Sequence, residues 1–381
     1  MRVIALATLA LAAASPLAQA ASVYPRPANA KPMFLVLPNH HLRAPAGAPL
    51  EPLTQWNGSF TDQLGQNITY VMAGTDPGAS DSATNIRVLI VPVKVVFGAN
   101  NGNMTFDPLA VTLPGGQTLI DNVLASPLFS TGTKFNQGGT VVGRGEYIDA
   151  YQRANFWSSV STNKHYHVNL KVAATLQPEL TITVKARQGK VITNPFGSNP
   201  AGEMYVNAFD KQVIAYINAN PRIRPNELPL FISYDTYLTE APLEGCCIGG
   251  YHSALDSEPN GQTYAYTTYE DEAGSFSQDV SAMSHELGEW MDDPFTDNSV
   301  NCADNTIMEV GDPLENNANY GAYPYLLNGF TYNLQSLVFI DYFGAPTSGP
   351  VNGWYSFQND MAGRCPGQGG TARRGPAMLM R

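Results

Sequence analysis

The chain has 381 residues, a formal net charge of −11 and 14% charged side chains, well below the roughly 25% of an average soluble protein. An acidic chain without a basic stripe is unsuited to nucleic acid or to an anionic membrane surface. Its 34 glycines, 28 prolines and 19 tyrosines favour strands, turns and ordered loops over helix bundles.

Residues 1–20 read as a secretory signal. Arg2 supplies a positive charge, residues 3–14 are apolar, Pro16 breaks the run, and Ala18-Gln19-Ala20 offers a small-x-small cleavage site. That places the mature chain outside the cell or in the periplasm. No later apolar run is long enough to span a bilayer, so no membrane span is expected. Nothing in the sequence sets the oligomeric state.

Residues 21–85 are rich in Pro, Gly, Ala, Asn and Ser and read as an N-terminal extension that caps the main domain, either a removable pro-segment or part of the mature fold. Residues 86–97 are β-branched and predict a buried strand. Helices are expected near 117–129 and 146–156, and a hairpin or two strands within 167–184. Residues 206–217 have helical spacing, 228–233 predict another buried strand, and 263–269 a further one. Residues 278–291 carry Val280, Met283, Leu287 and Met291 at helical spacing, and Pro294 ends that helix. Residues 337–343 read as a last strand or buried segment, and 367–381 as a disordered tail. The main domain is therefore set at 86–366.

Four cysteines lie beyond the signal: Cys246, Cys247, Cys302 and Cys365. In an oxidising compartment they predict disulfides. Adjacent cysteines close a strained ring, so Cys246 and Cys247 are expected to pair with Cys302 and Cys365 in an order left open. A soft metal site built from the cysteine pair and His252 is the rival reading.

The chemistry sits in His285-Glu286-Leu287-Gly288-Glu289. Positions i and i+4 share a helix face, so His285 and Glu289 grip a metal together while Glu286 stands beside it as general base. A carboxylate in place of the usual second histidine shifts preference toward harder, oxygen-loving ions, leaving zinc or another divalent metal as the expected cofactor. Glu309 is the candidate third ligand. Asp312 is expected to orient His285 through its free ring nitrogen, and His252 to serve either as a competing ligand or as a catalytic donor to a developing oxyanion. Asp292, Asp293 and Asp297 crowd the helix C-terminus, where the macrodipole disfavours anions, and call for a compensating cation or arginine. The plainer alternative makes Glu286 and Glu289 solvated acids and His285 a satisfied core histidine.

Ser284-His285-Glu286-Leu287-Gly288-Glu289, then Asp293-Pro294, then Glu309-Val310-Gly311-Asp312, resembles zincin metallopeptidases with an HExxE core. More closely, it is similar to the exordium (phosphate-induced protein 1) family. Gly250-Tyr251-His252 and Phe330-Thr331-Tyr332-Asn333 add weaker matches, and the likeness covers roughly residues 246–365. The resemblance implies a zincin-like core with His285, Glu289 and Glu309 as metal ligands and Glu286 as base.

Together these readings predict an α+β zincin-like domain: a mixed sheet, a metal-binding helix beneath it, and a cleft between that helix and the loops that follow. The strand at 263–269 is expected at the sheet edge, where an extended peptide would pair. The function expected is a secreted metal-dependent hydrolase acting on peptide or protein substrates. A non-catalytic extracellular protein keeping the metal for structure or binding is the first alternative. A carbohydrate-binding or carbohydrate-active protein is the second, resting on the four Trp and many Tyr. A G-x-S-x-G elbow and a P-loop are both missing from the sequence, and His165 and His167 read as structural.

Overall fold

The computed structural model describes residues 23–42, 51–162, 165–303, 305–346 and 354–368. The signal sequence and residues 369–381 lie outside them. Strand β1 (Met33–Val36) is followed by the hairpin β2 (Gln55–Thr61)–β3 (Asn67–Ala73), the long β4 (Ala83–Phe97) and the short β5 (Met104–Phe106). Helix α1 (Leu119–Leu124), the hairpin β6 (Thr133–Gln137)–β7 (Thr140–Gly145) and helices α2 (Tyr147–Asn155) and α3 (Trp157–Val160) come next. They lead to β8 (His167–Val172), β9 (Leu180–Val184), β10 (Gly189–Thr193) and β11 (Pro200–Tyr205). After α4 (Val206–Ala219) come β12 (Glu227–Tyr234), β13 (Thr236–Ala241), β14 (Glu244–Ala254) and β15 (Thr263–Tyr269). The last elements are α5 (Ser281–Asp292), the one-turn α6 (Asp312–Glu315), the hairpin β16 (Ala322–Leu327)–β17 (Phe330–Gln335) and a 3-10 turn at Ile340–Phe343.

The expected α+β zincin-like fold is overturned. Strand accounts for 38% of the structure against 16% helix, and a large mixed, nearly barrel-shaped sheet dominates it. Eleven strands join this sheet, with the central order β10-β11-β13-β14-β15-β12-β4-β5. The sequence of β4 explains why it can be the spine. Ile86, Val88 and Ile90 point into one core with α2 and α5. Leu89, Val91, Val93 and Val95 point into a second core with Phe209, Val213 and Ile217 of α4. A strand covered on both faces reads as a continuous apolar run, and β4 takes β8, β9 and β12 in parallel.

Parallel pairing also settles residues 167–184. They form two strands, but not a hairpin: each lies on its own stretch of β4. Strand β15 is not at an edge, because β12 and β14 flank it. Over residues 250–252, β14 has β15 on one side and β1 on the other.

The cysteine pairing differs from expectation too. Cys302 is bonded to Cys365, and Cys246 to its neighbour Cys247. The first bridge ties the loop after α5 to the C-terminal segment. The second occupies both thiols of the pair, which removes the soft metal site with His252. At the C-terminal end, Gln368 is buried and bonds Asp62 and the Asn301 carbonyl, two residues beyond the expected domain boundary at 366.

Several acids are buried away from the candidate metal cluster. Burial pushes Asp235 up to about 9 and Glu146, Glu270, Asp279 and Asp292 each up to about 7. Each keeps its proton in the fold at pH values where the unfolded chain has lost it. The native state then binds more protons, so stability falls as pH rises. Thermal melts of cation-free protein should therefore show a melting temperature that is highest near pH 5 and declines through pH 7 to 9. A rise over that interval would contradict the assignment.

Candidate metal centre

Helix α5 lies beneath β14 and β15 and also touches β3, α2 and β17. All twelve of its residues are buried. Its apolar face, Val280, Met283, Leu287, Trp290 and Met291, belongs to the larger core, each fully buried large side chain contributing roughly 1.5–3 kcal/mol. That leaves Ser284, His285, Glu286 and Glu289 on buried polar positions. A solvated amphipathic helix is therefore excluded: both acids are buried.

The His285 ring is held from both sides. Phe34 stacks on one face with centroids 3.8 Å apart. Opposite is the backbone of Gly311, where an added Cβ would stand 2.4 Å from Nδ1; only glycine admits so close an approach. His285 Nδ1 and Gln335 Oε1 are 2.8 Å apart. Gln335 donates its amide to the Gly311 carbonyl at 3.1 Å, which turns its oxygen toward the imidazole. The ring must therefore carry a proton on Nδ1 and turn Nε2 inward. Nε2 lies 2.9 Å from Glu289 Oε1 and 3.6 Å from Asp312 Oδ1. The orienting residue is thus Gln335, and Asp312 faces the ligating nitrogen instead of the free one.

His252, on β14, is set the same way. Its Nε2 is 3.2 Å from the Asp293 carbonyl, an acceptor that requires Nε2–H. Its Nδ1 is left as a lone pair, 3.4 Å from Glu286 Oε2 and 3.9 Å from Glu289 Oε2. Glu309 approaches on the Nε2 side, with Oε2 at 3.8 Å. Glu289 Oε1 also accepts the backbone N–H groups of Gly311 and Asp312, at 3.0 and 3.2 Å.

Two groups of side chains converge closely enough to share an ion, His252–Glu286–Glu289 and His285–Glu289–Asp312, and Glu289 is common to both. Glu309 stands beside them and belongs to neither.

The electrostatics are those of an anionic pocket short of positive charge. Among the described residues, the ion pairs of Glu286, Glu289, Glu309 and Asp312 reach only the two histidines. Burial and then facing charges drive Glu286 and Glu309 well above the carboxylate range. Burial alone would raise Glu289, yet the His285 ring holds it below its ordinary value. Burial would likewise lower His285, but Glu289 and Asp312 carry it well above the imidazole range. His252, buried without comparable support, is pulled down to about 4 and is neutral.

Four buried atoms here lack a hydrogen-bond partner: His285 Nε2, Glu286 Oε1 and both Glu309 oxygens. Unpartnered buried acceptors beside two clusters of imidazole and carboxylate groups fit a divalent cation. Imidazole and carboxylate donors suit zinc. The residues placed to hold it are Glu289 with His285 and Asp312, or with His252 and Glu286.

The acids at the helix end need no cation. Asp292 accepts from Tyr151 and Gln152, and Asp293 from the backbone of Asp297 and Asn298. The remaining histidines are elsewhere: His167 contacts Asp149, His40 contacts Tyr264 and Asp210, and His41 and His165 take no part.

Sequence reasoning missed Gln335, Gly311 and Phe34. The alternation of Phe330, Tyr332 and Leu334 places Gln335 on the opposite face of β17, but nothing local marks it as a partner of His285. Gln335→Leu should weaken cation affinity by roughly 10–100-fold, the usual cost of losing an orienting partner, with little change in the fold by circular dichroism. Unchanged affinity in a chelator competition would remove Gln335 from the site.

No family model, curated protein or solved structure matches the chain.

Proposed function

We propose that this chain is an exported metal-dependent hydrolase acting on peptide or protein substrates. One observation carries the reading: two imidazole nitrogens, each turned inward by a hydrogen bond on the other ring nitrogen, face one shared buried carboxylate, that of Glu289. A bound zinc or similar ion would supply Lewis acidity, lowering the pKa of a water toward neutrality and polarising a carbonyl.

The chain's own residues supply the rest. Glu286 is adjacent to the ligand face, and its unpartnered Oε1 is free to take a proton from a nucleophilic water and to return it to a leaving amine. Burial raises its basicity above that of an ordinary carboxylate, the direction a general base requires. His252 is better placed as a ligand than as an oxyanion donor, because its N–H is committed to the Asp293 carbonyl. Glu286→Gln should lower peptide turnover by about 10²–10⁴-fold, the range for a lost general base, while bound metal stays constant. Full turnover in that variant would remove the assigned base.

A second reading has its own support. His285, Glu286 and His252 have no solvent exposure, which suits an ion held for structure in a non-catalytic extracellular protein. Under that reading chelation lowers the melting temperature and no peptide substrate is turned over. The carbohydrate reading gains nothing from the tyrosines, since Tyr147, Tyr151, Tyr237, Tyr251 and Tyr264 are fully buried core residues.

A further inference from the structure

We infer that residues 31–42 are an internal strap that fills the peptide cleft of this site and keeps it closed, an inference that rests on the peptide-hydrolase reading above. The side of β14 away from β15 is where an extended polypeptide would add by backbone pairing. The chain's own N-terminal segment already lies there. β1 runs parallel to β14, with Phe34 opposite Gly250 and Val36 opposite His252. The backbone bonds extend beyond the strand at both ends. Lys31 donates to Cys246 O at 3.0 Å and accepts from Cys247 at 2.8 Å. Leu37 donates to His252 O and His40 to Ala254 O, both at 3.1 Å.

Contacts to side chains turn this pairing into a closure. The Phe34 ring covers His285 and meets Phe276 edge-on at 5.4 Å. The Phe34 N–H reaches Glu315 Oε2 at 3.3 Å, so the strap also bonds α6, the one-turn helix that begins with Asp312. Farther along, His40 Nε2 sits 2.9 Å from Tyr264 Oη and 3.1 Å from Asp210 Oδ2. Phe34 is only 5% exposed, although it belongs to a segment remote from α5 in sequence.

A segment so placed stands where substrate would stand. It points to an extended chain with a large apolar or aromatic side chain opposite Gly250 as the substrate class. Substrate can reach His285 only once the strap has left.

The test reads the strap without relying on metal or turnover. Cation-free full-length protein is treated with diethyl pyrocarbonate, and modification of His285 is followed by peptide mass spectrometry. In the parent chain His285 should be protected. In Phe34→Ala it should react roughly tenfold faster or more, as a local opening exposes the ring. His40→Ala, which loosens the outer anchor of the strap at a partly exposed position, gives a second variant that leaves the core intact and should also react faster. Labelling of His285 at the parent rate in both variants, with the fold intact by circular dichroism, would overturn the strap. Zinc stoichiometry measured on the same samples reports separately on the metal reading, so the two fail independently.

Discussion

Replacing Glu289 by glutamine should abolish tight divalent-cation binding, with affinity falling by more than the roughly 100-fold upper range for an orienting residue. Glutamine keeps the volume of the side chain and removes its charge. Glu289 is the one residue common to both converging groups. Its Oε1 faces His285 at 2.9 Å, and its Oε2 faces His252 at 3.9 Å. An amide there loses the charge that draws a cation into the pocket. Competition between the protein and a chromogenic chelator, run at fixed pH, measures the effect. Retention of parent affinity would mean that the ion, if bound, sits elsewhere.

Gly311→Ala should have the largest effect among changes that touch no charge. The new Cβ would meet His285 Nδ1 at 2.4 Å and Cε1 at 2.5 Å. Since φ at Gly311 is −90°, the cost comes from this collision alone and not from the backbone conformation. Overpacking of this kind costs about 1–3 kcal/mol, and it falls on the ring that presents a ligand. Gly288→Ala is the comparison. Its Cβ would press on Leu337 Cδ1 at 2.4 Å, in the apolar core behind the helix. Both variants should melt at lower temperature, but only Gly311→Ala should also lose cation affinity. Equal affinity losses in the two would show that the site responds to general destabilisation and not to the position of His285.

The contrast between these glycines bears on what could be read from sequence. Within α5, the stripe of Val280, Met283, Leu287 and Met291 predicts the helix, and its polar residues predict which side chains meet. The pairing of His285 with Glu289 follows from helical geometry alone. Likewise β4 and β12 are legible from their apolar runs. The fold class was not legible, because hydrophobic runs mark strands without saying which strands pair. Parallel partners such as β4 and β12 are joined only through long-range contacts, and so an interior strand, β15, reads as an edge. The cysteines fail for a related reason: which pairs form depends on where β14 carries Cys246 and Cys247. The acidic run after α5 misleads because hydrogen bonds from Tyr151, Gln152, Asp297 and Asn298 do what a cation was expected to do. Gln335, Gly311 and Phe34 each meet His285 through tertiary packing, and no local pattern records such a meeting.

The segments His285–Glu289 and Glu309–Asp312 lie close together in the fold. They do so within a mostly-β architecture, so the chemistry of the site has to be judged on its own donors. Those donors are two imidazoles, each fixed by a hydrogen bond on its outer nitrogen, and carboxylates that, among the described residues, pair with no arginine or lysine. Their arrangement is costly unless something positive completes it.

The direct measurement of that claim is the divalent metal content of the purified native chain, determined by elemental analysis beside His285→Ala. The account predicts about one ion per chain, lost in the variant. Absence of metal from the native protein, even after incubation with zinc, would contradict it.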